Sequence, residues 1–180
     1  LIAHNTDLEG FLGPLRQQRS HNDLTSMTAL VIGAGGAARA VIAALIGLGL
    51  PEIILINRTD QKAENLVAQV GLPSFYAVPW KNRKLAVKRA GLIVNASAAG
   101  MSGYPALDIS LADAQPSALV YDLIYTPEVT PLIAAARAKG LQTLGGLDML
   151  IGQARPSFQL FYGQPAPEAD PSEVLRRALA

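Results

Sequence analysis

Thr28-Ala-Leu-Val-Ile-Gly33-Ala-Gly-Gly-Ala37-Ala38 is the stretch on which the fold turns. Residues 28–33 form a short apolar run that closes on glycine, the composition of a strand buried on both faces. Ala37, Ala38, Val41, Ile42, Leu45 and Leu48 then recur at intervals of three and four, so a helix with one apolar face follows directly, and Gly49 closes it. Gly33, Ala34, Gly35, Gly36, Ala37 and Ala38 match the pattern Gly-x-Gly-x-x-Gly/Ala where chemistry requires it, between a buried strand and a helix N-terminus. The first glycine permits the tight turn, the second lets backbone approach a pyrophosphate, and Ala38 allows close packing of helix on strand. Free N–H groups and the positive end of the helix dipole then hold the anion. A glycine-rich turn alone is more simply just a turn; the strand–turn–helix context favours a dinucleotide site.

Working outward, Glu52 to Asn57 is a second buried strand, and Asp60 to Val70 repeats the helical period behind an Asp able to cap it. Further strands are expected at Ser74 to Val78, Leu92 to Ala96, Ala118 to Leu123 and Leu141 to Leu144, with a helix from about Thr130 to Lys139. Strands alternating with helices imply an α/β fold, a Rossmann-type doubly wound, mostly parallel six-stranded sheet with flanking helices, in one domain over residues 1–180. The basic, weakly periodic segment Trp80 to Arg89 reads as a short or irregular helix with no part in the site. Two helices stand outside the repeat. One, at about residues 5–20, carries Leu8, Phe11, Leu12 and Leu15 behind Asn5-Thr6-Asp7, and Pro14 is expected to break or kink it. The other, at about 146–163, shows an apolar stripe of Leu147, Leu150, Ile151, Ala154, Phe158 and Phe161. A Pro- and Ala-rich linker at 164–171 leads to a short terminal helix at 172–180.

Composition excludes several classes. A length of 180 residues, 50% of them hydrophobic, suffices for one buried core. A net charge of +1 with scattered Lys and Arg leaves no footprint for nucleic acid or an anionic membrane. With no Cys and only His4 and His21, neither a disulfide framework nor a thiolate or multi-histidine metal site is expected. No apolar run approaches the roughly 20 residues that span a bilayer. A reducing, cytoplasmic setting fits, and a chain opening on Leu1 with no signal-peptide pattern reads as one cut from a longer protein.

The end of the second strand selects the dinucleotide. NAD enzymes usually place Asp or Glu there, about 20 residues past the turn, to bind the ribose hydroxyls. Here stands Asn57-Arg58-Thr59, with Lys62 one turn on. Without a carboxylate to repel it, a 2′-phosphate can take charge-assisted bonds from Arg58, hydroxyl bonds from Thr59 and a longer-range contact from Lys62, so NADP is expected.

Asn5-Thr6-Asp7-x-x-Gly10, the Gly33–Ala37 turn, Asn57-Arg58-Thr59-x-x-Lys62, Asn95-Ala-Ser97-x-x-Gly-Met101, Asp122-x-x-Tyr125-x-Pro127 and Gly145-Gly146-x-x-Met149-Leu150-x-x-Gln153 together resemble the shikimate dehydrogenase family, in its order and over residues 5–163. The Gly-rich turn and Asn-Arg-Thr also occur together in glutamyl-tRNA reductases, so the first and last two motifs are the specific ones. Ser97 stands where the family more often has Thr, and keeps the hydroxyl.

The resemblance implies an NADP-dependent oxidoreductase of the shikimate pathway and aromatic amino-acid biosynthesis, reversibly reducing 3-dehydroshikimate to shikimate. Asp7 would contact substrate hydroxyls and share proton transfer with a lysine, and Tyr125 and Gln153 would also face substrate. Cofactor contacts would come from Gly33, Ala34, Gly35, Gly36 and Ala37, from Asn57, Arg58, Thr59 and Lys62, from Asn95 and Ser97, and near the nicotinamide from Leu123 and Gly146. The family's catalytic lysine and carboxylate-binding Ser and Thr belong to an upstream domain, which the helices at 5–20 and 146–163 would face. None of Lys62, Lys81, Lys84, Lys88 and Lys139 occupies that lysine's context, so weak or no activity is expected of this chain alone. A quinate dehydrogenase, a non-catalytic NADP-binding module and a segment of a fused polypeptide are the competing readings.

Overall fold

The computed structural model describes residues 5–168 and 171–179. The chain runs α1 (Asp7–Gln18), α2 (His21–Thr25), β1 (Thr28–Ile32), α3 (Gly36–Leu48), β2 (Glu52–Ile56), α4 (Asp60–Val70), β3 (Phe75–Ala77), a 3₁₀ turn (Trp80–Asn82), α5 (Arg83–Arg89), β4 (Leu92–Asn95), β5 (Leu119–Asp122), α6 (Pro131–Ala138), β6 (Gln142–Leu144), α7 (Gly146–Tyr162) and α8 (Ser172–Leu179). The strands form one sheet in the order β3-β2-β1-β4-β5-β6, every neighbouring pair parallel. Strand order therefore reverses between β1 and β4, which pair from Ala29↔Leu92 to Ile32↔Asn95. Ligands of open α/β sheets bind in the crevice that such a reversal opens beyond the carboxyl ends of the strands.

Burial on both faces explains why the strands read as continuous apolar runs. Ala29, Val31, Ile53 and Leu55 point into a core shared with α1, α3 and α4, whereas Leu30, Ile32, Ile54 and Ile56 point into a second core against α5 and α6. Side chains alternate across a strand, so both sets must be apolar once helices cover both faces. The expected elements are present with their ends moved by a residue or two. The short α2 was not anticipated, although its capping box lay in the sequence as Ser20-x-x-Asp23: the Asp23 N–H donates to Ser20 Oγ at 3.2 Å and the Ser20 N–H donates to Asp23 Oδ2 at 3.3 Å.

Pro14 does not end its helix. α1 continues through it to Gln18, with Phe11, Leu12 and Leu15 buried and Phe11 stacked on Tyr121 of β5 at a centroid distance of 5.2 Å. Burial of that face outweighs an interior proline's cost of about 3 kcal/mol. Pro14 removes the main-chain bond to Gly10, and in α7 Pro156 likewise removes the bond to Gly152. Those two glycines are the crossing point of the helices. A Cβ on Gly152 would stand 2.8 Å from the Gly10 carbonyl oxygen, and one on Gly10 would stand 2.9 Å from the Met149 carbonyl oxygen. α1 and α7 thus touch backbone to backbone, and Ser157 Oγ donates to Thr6 Oγ1 at 3.1 Å a turn away.

The apolar stripe on the late helix is largely left uncovered by the rest of the described residues. Only the first turn of α7 is buried, through Gly146, Leu147 and Met149; Ala154 is exposed and Phe161 is 84% exposed. Helical periodicity reports an apolar face without saying what covers it. Of the expected 164–171 linker, residues 169 and 170 lie outside the described residues, as does residue 180 at the end of the terminal helix.

The crossing predicts a contrast between two glycines of this helix pair. Gly152→Ala should lower the thermal midpoint by several degrees, reflecting overpacking of roughly 1–3 kcal/mol against backbone that cannot yield. Gly13→Ala, which would meet no atom within 4 Å, should lower it not at all. Equal midpoints in a melting experiment would contradict the close approach.

Candidate functional site

The β1–α3 turn is built as the phosphate motif requires. Gly33 is buried, has φ +109°, and a Cβ there would stand 2.9 Å from the Ala96 carbonyl oxygen, so both conformation and space demand glycine. Gly35 caps α3 without any side-chain hydrogen bond, and Gly35, Gly36 and Ala37 are exposed. A Cβ on Gly35 or Gly36 would meet nothing within 4 Å, and neither has positive φ. The fold itself therefore does not require these two glycines; close approach of a ligand to the free N–H groups at the α3 N-terminus does. Ala34 is half-buried beside them and Ala38 fully buried beneath the helix.

A cleft of about 400 Å³ opens beside Gly33, with Asn57, Arg58, Thr59 and Lys62 on one wall and Ser97 on the other. Asn57 Nδ2 donates to the Thr59 carbonyl at 2.8 Å, and the Lys62 N–H donates to the same oxygen at 3.0 Å, which fixes the β2–α4 turn. The Arg58 guanidinium and the Lys62 ammonium have no partner among the described residues. With no partner among the described residues and no carboxylate at the end of β2, these two cations leave positive charge open to an anion on that wall.

Asn95 does not line this cleft as expected. It is fully buried: Nδ2 donates to Asp122 Oδ1 at 3.0 Å and to the Ala99 carbonyl at 3.2 Å, while Oδ1 accepts from Ser97 Oγ at 2.7 Å and from the Ser97 N–H at 3.1 Å. Asp122, also fully buried, accepts from Thr130 Oγ1 at 2.6 Å and from the Ile124 N–H at 3.2 Å, and Thr130 in turn caps α6. Asn95 and Asp122 thus bind together the carboxyl ends of β4 and β5 and aim Ser97 and Leu123. Leu123 meets the N-terminus of α7, where a Cβ on Gly146 would stand 2.6 Å from the Ile124 carbonyl oxygen and closer still to that of Leu123.

Asp7, Tyr125 and Gln153 lie away from the cation-lined cleft. Tyr125 is 46% exposed on the loop after β5. Gln153 lies at the α1–α7 crossing, about 10 Å along α7 from Gly146, with its Cβ against Gly10. Asp7, one turn before Gly10, is not a helix cap: the first turn is served by Asn5 Oδ1, which accepts from the Asp7 N–H at 2.9 Å. The Asp7 carboxylate accepts no hydrogen bond from the described residues. Lys139 is committed to the carbonyls of Leu111, Ala112 and Ala114. No cluster of metal-ligating side chains occurs among the described residues, and no described helix is long and apolar enough to cross a membrane.

The sequence reading missed Trp80, Tyr104 and Asp108, which also line the cleft. Trp80 belongs to the segment set aside as playing no part. The available signal was topological: in this strand order the loops after β3 and β4 flank the β2–α4 turn at the same edge of the sheet.

A Gly-rich turn at the strand reversal, an open helix N-terminus and a basic wall at the end of the second strand define a dinucleotide-binding domain of dehydrogenase type. The family model for shikimate / quinate 5-dehydrogenase matches residues 15–143, and the chain belongs to that family. It is 44% identical over 174 residues to the shikimate dehydrogenase (NADP(+)) of Sphingopyxis alaskensis, covering 97% of this chain and 61% of that protein. Among solved structures it is similar to shikimate 5-dehydrogenase from Thermus thermophilus in complex with NADP(H) and shikimate, with 36% identity and a TM-score of 0.82 over 97% of this chain and 63% of that one. It is also similar to quinate dehydrogenase from Corynebacterium glutamicum in complex with NAD, with 29% identity and a TM-score of 0.79 over 97% of this chain and 61% of that one. The chain thus spans 61–63% of the length of these relatives.

Burial raises the Asp122 carboxyl above its usual range, opposed by the hydrogen bonds from Thr130, Ile124 and Asn95. Relative to the unfolded chain, the native state therefore holds this proton more tightly. Its contribution to stability is full below the ordinary value of 3.8 and is lost as pH rises through the raised native value. The midpoint difference between the natural chain and Asp122→Asn should be largest in acid and narrow toward neutrality. A gap independent of pH would contradict this.

Proposed function

We propose that this chain is the NADP(H)-binding part of a shikimate dehydrogenase, taking part in the reversible, NADP-dependent reduction of 3-dehydroshikimate to shikimate. The observation that carries the reading is the pair of unpartnered cations, Arg58 and Lys62, on the wall of the cleft beside Gly33. The N–H groups of Gly35, Gly36 and Ala37 would hold the pyrophosphate, and Arg58, Thr59 and Lys62 the 2′-phosphate. Ser97, Leu123 and Gly146 would form the wall nearer the nicotinamide. Bound NADP(H) supplies the hydride chemistry.

Asp7, Tyr125 and Gln153 would contact the substrate hydroxyls. An Asp7 carboxylate with no hydrogen bond from the described residues is available to accept a substrate hydroxyl and to share its proton with a second group. No lysine of this chain is assigned as that group. The exposed outer half of α7, with Phe161 and Tyr162, supports a role for α1 and α7 as the surface on which the rest of a full-length enzyme completes the substrate cleft. A cytoplasmic setting accords with such a biosynthetic role. A quinate dehydrogenase using NAD is the poorer reading, because Asn57-Arg58-Thr59 offers no carboxylate to the ribose hydroxyls.

Titration by nicotinamide fluorescence should give tighter binding of NADPH than of NADH. Arg58→Ala should weaken NADPH roughly tenfold or more, the worth of a charge-assisted bond, and NADH far less. Shikimate-dependent NADPH formation by the 180-residue chain should not rise above background. Equal affinity for the two cofactors would refute the cofactor assignment, and robust turnover would place the proton acceptor within these residues.

A further inference from the structure

The cleft that Arg58 and Lys62 line is also lined by Asp108, whose carboxylate would repel a phosphate-bearing ligand. Its charge is answered by Arg83, the first residue of α5. Arg83 Nη2 donates to Asp108 Oδ2 at 2.7 Å and Nε donates to the Asp108 backbone carbonyl at 2.9 Å, a two-point grip on one residue. Nη1 of the same guanidinium donates to the Trp80 carbonyl at 3.2 Å, and the group lies 5.2 Å from the centre of the Trp80 ring. Trp80 is itself tied to the cofactor wall, since its N–H donates to Asp60 Oδ1 in the first turn of α4 at 2.7 Å. Arg83 therefore joins the loop after β4 to the turn after β3, and does so at the acidic residue that lines the cleft with the basic wall.

We propose that Arg83 is a specificity-determining positioning residue, which selects the 2′-phosphorylated dinucleotide by neutralising Asp108 in the wall of the cleft. The inference rests on the NADP(H) reading above. The Arg83 side chain is 24% exposed and that of Asp108 76% exposed, so the guanidinium is the anchored partner and the carboxylate the one free to face a ligand. Arg83 acts through Asp108 and not by touching cofactor, which sets it apart from Arg58. Two behaviours follow. Loss of Arg83 penalises NADPH more than NADH, because only the former carries the additional charge. Removal of the Asp108 charge in the same molecule cancels the penalty, whereas a brace that merely ordered the loop would weaken both cofactors alike and would not be rescued.

The test is titration of NADPH and NADH into the natural chain, Arg83→Met, Asp108→Asn and the double variant, at low and at physiological ionic strength. Arg83→Met should weaken NADPH roughly threefold to tenfold at low salt, less at higher salt, and NADH by less than about twofold. The double variant should bind NADPH within about twofold of the natural chain. Asp108→Asn alone, whose amide oxygen still accepts from Arg83, should bind NADPH as tightly or more tightly, with NADH unaltered, and it carries the test should Arg83→Met fail to fold. An unchanged ratio of the two affinities in Arg83→Met, or no rescue in the double variant, overturns the inference. In Asp108→Asn, weakened NADPH binding overturns it equally. If the natural chain shows no preference for NADPH, the cofactor reading falls and the inference with it; a natural preference that Arg83→Met leaves intact sinks the inference alone.

Discussion

The close approach of the Gly33 turn to the backbone of Ala96 is the constraint on which the rest of the molecule depends. β1 and β4 are neighbours at the point where strand order reverses, and the chain leaving β1 must turn without a side chain because the Ala96 carbonyl occupies the space a Cβ would take. That turn sets where α3 begins, and its open N-terminus then faces the crevice beyond the strand ends. The β2–α4 turn stands beside it because β2 pairs with β1 in register through Ile32↔Ile56. Sheet topology thus brings the basic wall and the glycine turn before α3 to one cleft.

Buried polar groups hold the other half of the crevice. Asn95 and Asp122 occupy the register pair at the carboxyl ends of β4 and β5, and each uses its remaining bonding capacity on the loop that leaves its own strand. Buried amide and carboxylate groups are tolerable only when satisfied, so the two loops are fixed relative to each other by the same bonds that make the burial possible. The outer part of the cleft is arranged differently, with exposed charges: Arg58 and Lys62 without a partner among the described residues, and Asp108 paired with Arg83.

Much of the architecture was legible before any coordinates. The strands announced themselves as apolar runs because helices cover both faces of the sheet, and the phosphate turn because its glycines stood between a strand and a helix. Errors arose where packing overrides local preference or where contacts join distant segments. Pro14 marks a break by its own chemistry, yet burial of Phe11 and Leu15 keeps the helix whole. Asn95, read as a cofactor contact from its place in a motif, is a buried strut; its neighbour Ser97 reaches the cleft.

By itself the sequence determined the fold class, the position of the phosphate turn, the basic character of the second strand's end and the family to which the chain belongs, because each is carried by short local patterns and by their order along the chain. Only tertiary structure decided that Gly10 and Gly152 form a helix crossing, that Asn95 and Asp122 spend their polar groups on each other, and that Trp80, Arg83 and Asp108 meet at the cleft. Those relations join segments tens of residues apart. Their geometry follows from strand order and helix packing, which no local pattern encodes.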